Sequence, residues 1–262
     1  MINLQLIALI DKFVLRKKRS LDIASFGHPS TLLPQSINSI KTKTTNKGLP
    51  ETCRDTLYID RLNKSHVNKL EAYRLQDVIG NYGVSCKSLH VFDIDPNEDL
   101  YLCWDLNKPL PQYLYNQYDL AIDSGTHEHV FNIGTSLTSF ASLPKKNGMA
   151  IGALPFFSQN HGYFNINPNC LAELFSPFNG YKLHLLKLNC YESPEKSLRG
   201  ITKKSYTIYS SEEHFRPTYD SILQKIQSLR IEQISNFNTL YYVAEKKSIL
   251  PIYPPMQRKY KA

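Results

Sequence analysis

Several features that would assign a class at once are absent. The apolar N-terminal stretch in MINLQLIALIDKFVLRKKRS is broken by Asp11 and Lys12, far short of the roughly 20 residues a membrane-spanning helix needs. It also lacks the basic start and small-residue cleavage site of a signal peptide. The five cysteines (Cys53, Cys86, Cys103, Cys170, Cys190) are odd in number, widely spaced and form no C-x-x-C pair, which argues against a zinc knuckle and a disulfide framework. Reduced thiols in a cytoplasmic protein are the simplest account. There is no G-x-S-x-G elbow and no phosphate-binding P-loop, which weighs against hydrolase and kinase chemistry. The chain has no internal repeat, no low-complexity tract and no recognised nucleic-acid motif.

What is present fits one large α/β domain, or a domain plus appendages. The 262 residues are 42% hydrophobic and 21% charged, enough apolar content for an ordinary core. The net charge of +8 is dispersed over Arg16-Lys17-Lys18-Arg19, Lys41, Lys43, Lys47, Lys203-Lys204, Lys246-Lys247 and the tail Arg258, Lys259, Lys261. Dispersed charge serves solubility first; attraction to an anionic partner is the alternative.

Four short apolar runs end in polar or glycine-containing turns: SLDIASFG (20–27), SLHVFDID (88–95), YDLAID (118–123) and GMAIGALPF (148–156). Such runs, between helical patterns, read as central parallel strands. Helices are predicted over 65–83, from a Ser65 cap to a stop near Gly80 or Gly83, over 131–143, over 167–178 with Asn167 as cap and Pro168 at the first position, and over 219–231. Leu6, Leu9, Ile10, Phe13 and Val14 suit one face of a helix docked on the sheet, with an interfacial anchor as the alternative. YKLHLLKLNCY (181–191) and NTLYYVAEKK (238–247) read as late strands, while 42–52 and 192–217 read as loops or insertions and the Pro-rich, basic tail as extended. The order implies an open parallel sheet with helices on both faces, whose ligands bind at the carboxyl ends of the strands.

Those ends carry the candidate chemistry. Gly27, in SFGHPS, permits a tight turn or close backbone approach to a ligand, or is an ordinary strand–helix turn. Asp93 closes the second strand, where a carboxylate accepts ribose hydroxyls or caps a helix. Asp105, in WDLNKPLPQ, is a turn former or an acceptor for an adenine amine. In DSGTHEH (123–129), His127-x-His129 with Glu128 has no third ligand cluster in view, so no metal is expected. His161, in NHGYFNINP, is a general base or a structural loop histidine.

YDLAIDSGTHEHVFN, LPKKNGMAIGALPF and NHGYFNINP together resemble the class I S-adenosylmethionine-dependent methyltransferases, most closely a bacterial subgroup linked to glycan or secondary-metabolite pathways. EHVFN resembles the family's Glu-His segment, and LPKKNGMAI its L-x-P-G-G turn, with Lys146 and Asn147 as departures. The likeness covers about 20–27 and 88–191, with NTLYYVAEKK as the last antiparallel strand. It implies a single domain over 1–262 with insertions at about 29–87 and about 192–217. The fold it implies is a three-layer, Rossmann-like α/β sheet, mostly parallel with a late antiparallel strand.

The resemblance also implies roles. S-adenosylmethionine is the cofactor and S-adenosylhomocysteine the product. Ser25, Phe26 and Gly27 approach the methionine part; Asp93, with Ile94, binds ribose; Asp105 and Leu106 hold adenine; Asp123, Ser124 and Gly125 flank the sulfonium. His161 is the base for an oxygen acceptor, with Glu128 and His129 as second candidates. The expected acceptor is a small molecule or saccharide rather than nucleic acid. Residues 29–87 and 192–217 are expected to recognise it, with Tyr101, Tyr163 and Phe164 as stacking or core aromatics. The single glycine of SFGHPS departs from the glycine-rich first loop of the family and keeps a non-catalytic relative in play. An RNA methyltransferase is the third alternative, but it normally carries an Asn/Asp-Pro-Pro-Tyr or catalytic cysteine motif, and neither DSGT nor LPFF is one.

Overall fold

The all-apolar runs meet at the centre of one eight-stranded sheet. The computed structural model describes residues 1–34, 70–94, 101–200, 202, 204–211, 224 and 237–256. The strands are β1 (Ser20–Phe26), β2 (Thr31–Pro34), β3 (Leu70–Tyr73), β4 (Ser85–Asp93), β5 (Tyr101–Cys103), β6 (Tyr118–Ser124), β7 (Pro144–Ser158), β8 (Tyr181–Tyr191), β9 (Lys204–Ser210) and β10 (Phe237–Lys246). The main sheet runs β5-β4-β1-β6-β7-β10-β8-β9, and β2 pairs with β3 separately. β5, β4, β1, β6 and β7 pair in parallel; β10 is antiparallel to both β7 and β8, and β9 to β8. The fold is thus Rossmann-like α/β, with a mostly parallel sheet.

Period-two alternation divides the core into two layers. On one face Ile23, Leu120, Ile122, Ile151, Tyr241 and Val243 pack with Leu6, Ile10 and Val14 of the N-terminal helix and with Val78 and Ile79. On the other, Ala24, Phe26, Ala121, Leu240 and Tyr242 pack with Leu137, Phe140, Leu171 and Leu174. Each fully buried large aliphatic side chain contributes about 1.5–3 kcal/mol. Gly152 faces Tyr242 across the β7–β10 ladder, and a Cβ there would lie 2.4 Å from the Tyr242 hydroxyl oxygen. The strand carries glycine because the ring occupies the space.

The helices are α1 (Leu4–Ile10), continued by a π-helical turn over Asp11–Leu15, then α2 (Leu75–Asn81), α3 (Ile133–Ser142), α4 (Pro168–Leu174) and α5 (Pro194–Leu198). The predicted N-terminal helix is therefore docked on the sheet. Asn167 accepts from Asn169 N–H at the start of α4 (2.9 Å), with Pro168 at its first position, as predicted. Two expectations differ. The helix over 65–83 is shorter, because Leu70–Tyr73 pairs antiparallel with Thr31–Pro34 before α2 begins. The stretch 192–217 contains α5 and the edge strand β9 rather than loop alone. The predicted late antiparallel strand is β10, and the edge strand β9 runs in the same sense as it. The predicted 42–52 loop, the predicted helix over 219–231 apart from residue 224, and the end of the tail lie outside the described residues.

Candidate active site

The chain order of the strands reverses between β1, which is followed outward by β4, and β6, which is followed by β7. Crevices at such a switch point are where open α/β sheets bind ligands. A cavity of about 420 Å³ lies there, walled by Gly27, Asp93, Ser124, Gly125, Pro155 and His161 among others.

The β1 turn is held from several sides. Gly27 has φ +72° and donates its N–H to Phe92 O at 2.9 Å. Ser25 Oγ donates to Gly27 O at 2.9 Å, and Thr126 Oγ1 to Phe26 O at 2.9 Å. A Cβ on Gly27 would sit 2.4 Å from Thr126 Oγ1. The positive φ and the neighbour both require glycine. Asp93, at the end of β4, accepts from Ile94 N–H (2.7 Å) and lines the same cavity. Met1 reaches the wall too, its amino group donating to Ser124 O at 2.7 Å.

Past β6, DSGTHEH sorts its ionisable groups by depth. A 3-10 turn spans His127–His129. His127 points into the core, edge-on to Phe26 and Phe140, with Nδ1 2.8 Å from Ser136 Oγ. Burial pushes its pKa down to about 3, so the ring is neutral. Asp123 is fully buried, its Oδ2 3.6 Å from His127 Nε2. Burial, and then the charge of Glu128, pushes its carboxyl well above the ordinary range, against the Thr126 N–H that donates to it. Glu128 is also buried, and neither of its carboxylate oxygens accepts a hydrogen bond among the described residues. Its Oε1 lies 3.3 Å from His161 Nε2 and 3.9 Å from His129 Nε2.

The loop after β7 closes over Glu128. Tyr163 N–H and Phe164 N–H donate to Glu128 O at 2.7 and 3.3 Å. Gly162, at φ +73°, lies so close that a Cβ would be 2.8 Å from Glu128 Cγ. This contact carries His161 to His129, with ring centroids 5.1 Å apart. Glu128, His129 and His161 each offer a ligand atom within 4.8 Å of the others. The two histidines of H-x-H therefore diverge, and the partner of His129 comes from another strand end.

Seven predicted site residues share the cavity wall: Gly27, Asp93, Ser124, Gly125, Glu128, His129 and His161. The others lie off it. Ser25 braces the turn from beneath, Phe26 and Leu106 are core residues, and Asp123 lies under the wall. Ile94 is 72% exposed. Asp105 accepts from both Asn107 nitrogens (3.0 and 2.9 Å), which hold its carboxyl below the usual range. Asn107 in turn bonds Asn132 at the start of α3. Sequence reasoning did not anticipate Asn3, Thr126, Ser197, Phe237 and Thr239 in the wall. Only Ser197 fell within a segment flagged for recognition, 192–217.

Neither a protein-family model nor a curated protein matches the chain. Among solved structures, it is similar in chain path to Haemonchus contortus phosphoethanolamine N-methyltransferase 2, complexed with phosphomonomethylethanolamine and S-adenosylhomocysteine. The identity is 10% and the TM-score 0.45, over 93% of this chain and 52% of that one. A provisionally assigned methyltransferase from Bacillus halodurans C-125 gives 10% identity and a TM-score of 0.44, over 93% of this chain and 99% of that one. The Burkholderia thailandensis 1,6-didemethyltoxoflavin-N1-methyltransferase, bound to its didemethyltoxoflavin and S-adenosylhomocysteine, gives 11% and 0.36, over 94% and 80%.

Proposed function

We propose that the protein is a class I S-adenosylmethionine-dependent methyltransferase acting on a small-molecule or saccharide acceptor, at oxygen. The observation that carries this reading is the cavity at the β1/β6 switch, with Gly27 and Asp93 on adjacent strand ends and a Glu-His-His cluster in the same wall. Gly27 lets the backbone approach the methionine part of the cofactor, and Asp93 accepts from the ribose hydroxyls. Ser124 and Gly125 flank the sulfonium. Asp105 is assigned the adenine by the family resemblance alone, since it lies off the cavity wall with Oδ1 held by Asn107.

The cofactor brings its own leaving group, so the protein chiefly aligns the acceptor oxygen with the methyl carbon. His161, Glu128 and His129 face that position, with His161 the expected base. Tyr163 is 71% exposed and meets Phe131 edge-on at 6.3 Å beside His161, a platform for a sugar or aromatic acceptor. A non-catalytic cofactor binder is the second reading. It is favoured by the lone glycine of the β1 turn, and it predicts no S-adenosylhomocysteine formation with any acceptor.

The test is calorimetric titration with S-adenosylhomocysteine. Micromolar affinity, about −8 kcal/mol, is expected, falling at least tenfold in Asp93→Ala. Unchanged affinity in that variant would remove the ribose assignment, and no binding by the unmodified protein would remove the cofactor.

A further inference from the structure

The geometry points to a divalent transition-metal site formed by Glu128, His129 and His161. Three observations meet there. The ligand atoms converge: His161 Nε2 and His129 Nε2 lie 3.3 and 3.9 Å from Glu128 Oε1. Ligands bonded at about 2.0–2.2 Å to one ion stand about 3–3.5 Å apart when adjacent, so small side-chain rotations complete the set.

Second, Glu128 is buried with both oxygens free of hydrogen bonds among the described residues. A buried carboxylate without a hydrogen bond is costly, and a cation held by the two imidazoles would offset that cost beside the Met1 amino group, whose charge already attracts Glu128. Gly125 and Gly162 leave the space this carboxylate occupies: a Cβ on Gly125 would lie 3.0 Å from Oε1, and one on Gly162 2.8 Å from Cγ. Third, the histidine side chains are 50% and 41% exposed and all three residues line the cavity. The ion would thus have protein ligands on one side and open positions toward the cavity. Two histidines and one carboxylate with open positions suit a first-row divalent ion.

The role of the ion rests on the methyltransferase reading; its binding does not. A hydroxyl oxygen of the acceptor, coordinated at an open position, becomes more acidic and releases its proton to water at the mouth. An oxygen lone pair then forms the O–CH3 bond while the methyl–sulfur bond breaks, its electron pair remaining on the neutral thioether of S-adenosylhomocysteine. His161 acts in this scheme as a ligand in place of a free base.

The experiment uses full-length protein with no histidine tag, stripped with a chelator. Zinc binding is measured by competition with a chromophoric indicator, without S-adenosylhomocysteine. One equivalent is expected to bind, at least tenfold more weakly in His129→Ala and in His161→Ala. His90→Ala, which alters a histidine bonded to Tyr118 elsewhere on the sheet, should leave it unchanged. Both test positions are half-exposed, so the variants are expected to fold; circular dichroism checks this, whereas Glu128→Gln alters the core. Absence of binding at tens of micromolar zinc, or binding unaffected by both histidine variants, overturns the site. Zinc binding that depends on these histidines in a protein that does not bind S-adenosylhomocysteine retains the site and removes the methyltransferase reading.

Discussion

Gly27 shows what one residue decides. Alanine there would have to adopt φ +72° and place its Cβ 2.4 Å from Thr126 Oγ1. The Thr126 hydroxyl would lose its bond to Phe26 O, and the turn would move off the cavity wall. Left-handed strain alone costs about 1–3 kcal/mol. Gly27→Ala is expected to lower stability by about that amount in urea denaturation, and S-adenosylhomocysteine affinity at least tenfold by calorimetry; a variant with unchanged affinity would show that the turn does not touch the ligand. The sequence marks this position, and Asp93, because each ends an apolar run. It does not mark the meeting of Glu128 with His161. Those residues are 33 positions apart, and the contact depends on backbone bonds from Tyr163 and Phe164 that no periodicity reveals. Nor does H-x-H disclose that His127 turns into the core while His129 turns out.

The elements were legible in proportion to their burial. β1, β6 and β7 are apolar on both faces and stand out. β5 is only three residues long, and β9, KSYTIYS, is an edge strand whose first half is exposed or half-buried and whose only apolar residues are Tyr206, Ile208 and Tyr209. The end of the sheet opposite the cavity is tied by Asp119, at the start of β6. It accepts from Lys18, from Asp22 N–H (3.0 Å) and from Lys145 (2.9 Å), joining the approaches to β1, β6 and β7. Burial raises its carboxyl pKa, but the Lys18, Asp22 and Lys145 hydrogen bonds outweigh that and hold it below the ordinary range. A depressed carboxyl stabilises the fold above the unfolded-state pKa, near 4, and this contribution fades as pH falls through the lower folded value. Asp119→Asn should therefore cost about 1–3 kcal/mol at pH 7, a figure reduced from the fully buried case because the lysines are partly exposed. Denaturant midpoints measured from pH 7 downward should show the variant and the unmodified protein converging in acid. A constant difference would assign the loss to packing instead.

At the scale of the whole molecule, one sheet carries both core layers and the cavity, so ligand binding should be felt throughout. A ligand at 100 times its dissociation constant stabilises the native state by about 2.7 kcal/mol, which for a domain of this size raises Tm by about 5–10 °C. Differential scanning fluorimetry with S-adenosylhomocysteine should show that shift, and a shift within about 1 °C would speak against binding at the switch point. The last described strand, β10, has a further consequence. It enters between β7 and β8, although both precede it in the chain, and it brings Phe237 and Thr239 to the cavity wall. During translation, β7 and β8 therefore leave the ribosome as two unpartnered, largely apolar edges, which are templates for pairing with other chains. Those edges stay open to such pairing until residues 237–246 are made, and the part of the cavity wall that Phe237 and Thr239 supply is the last part of the sheet to form.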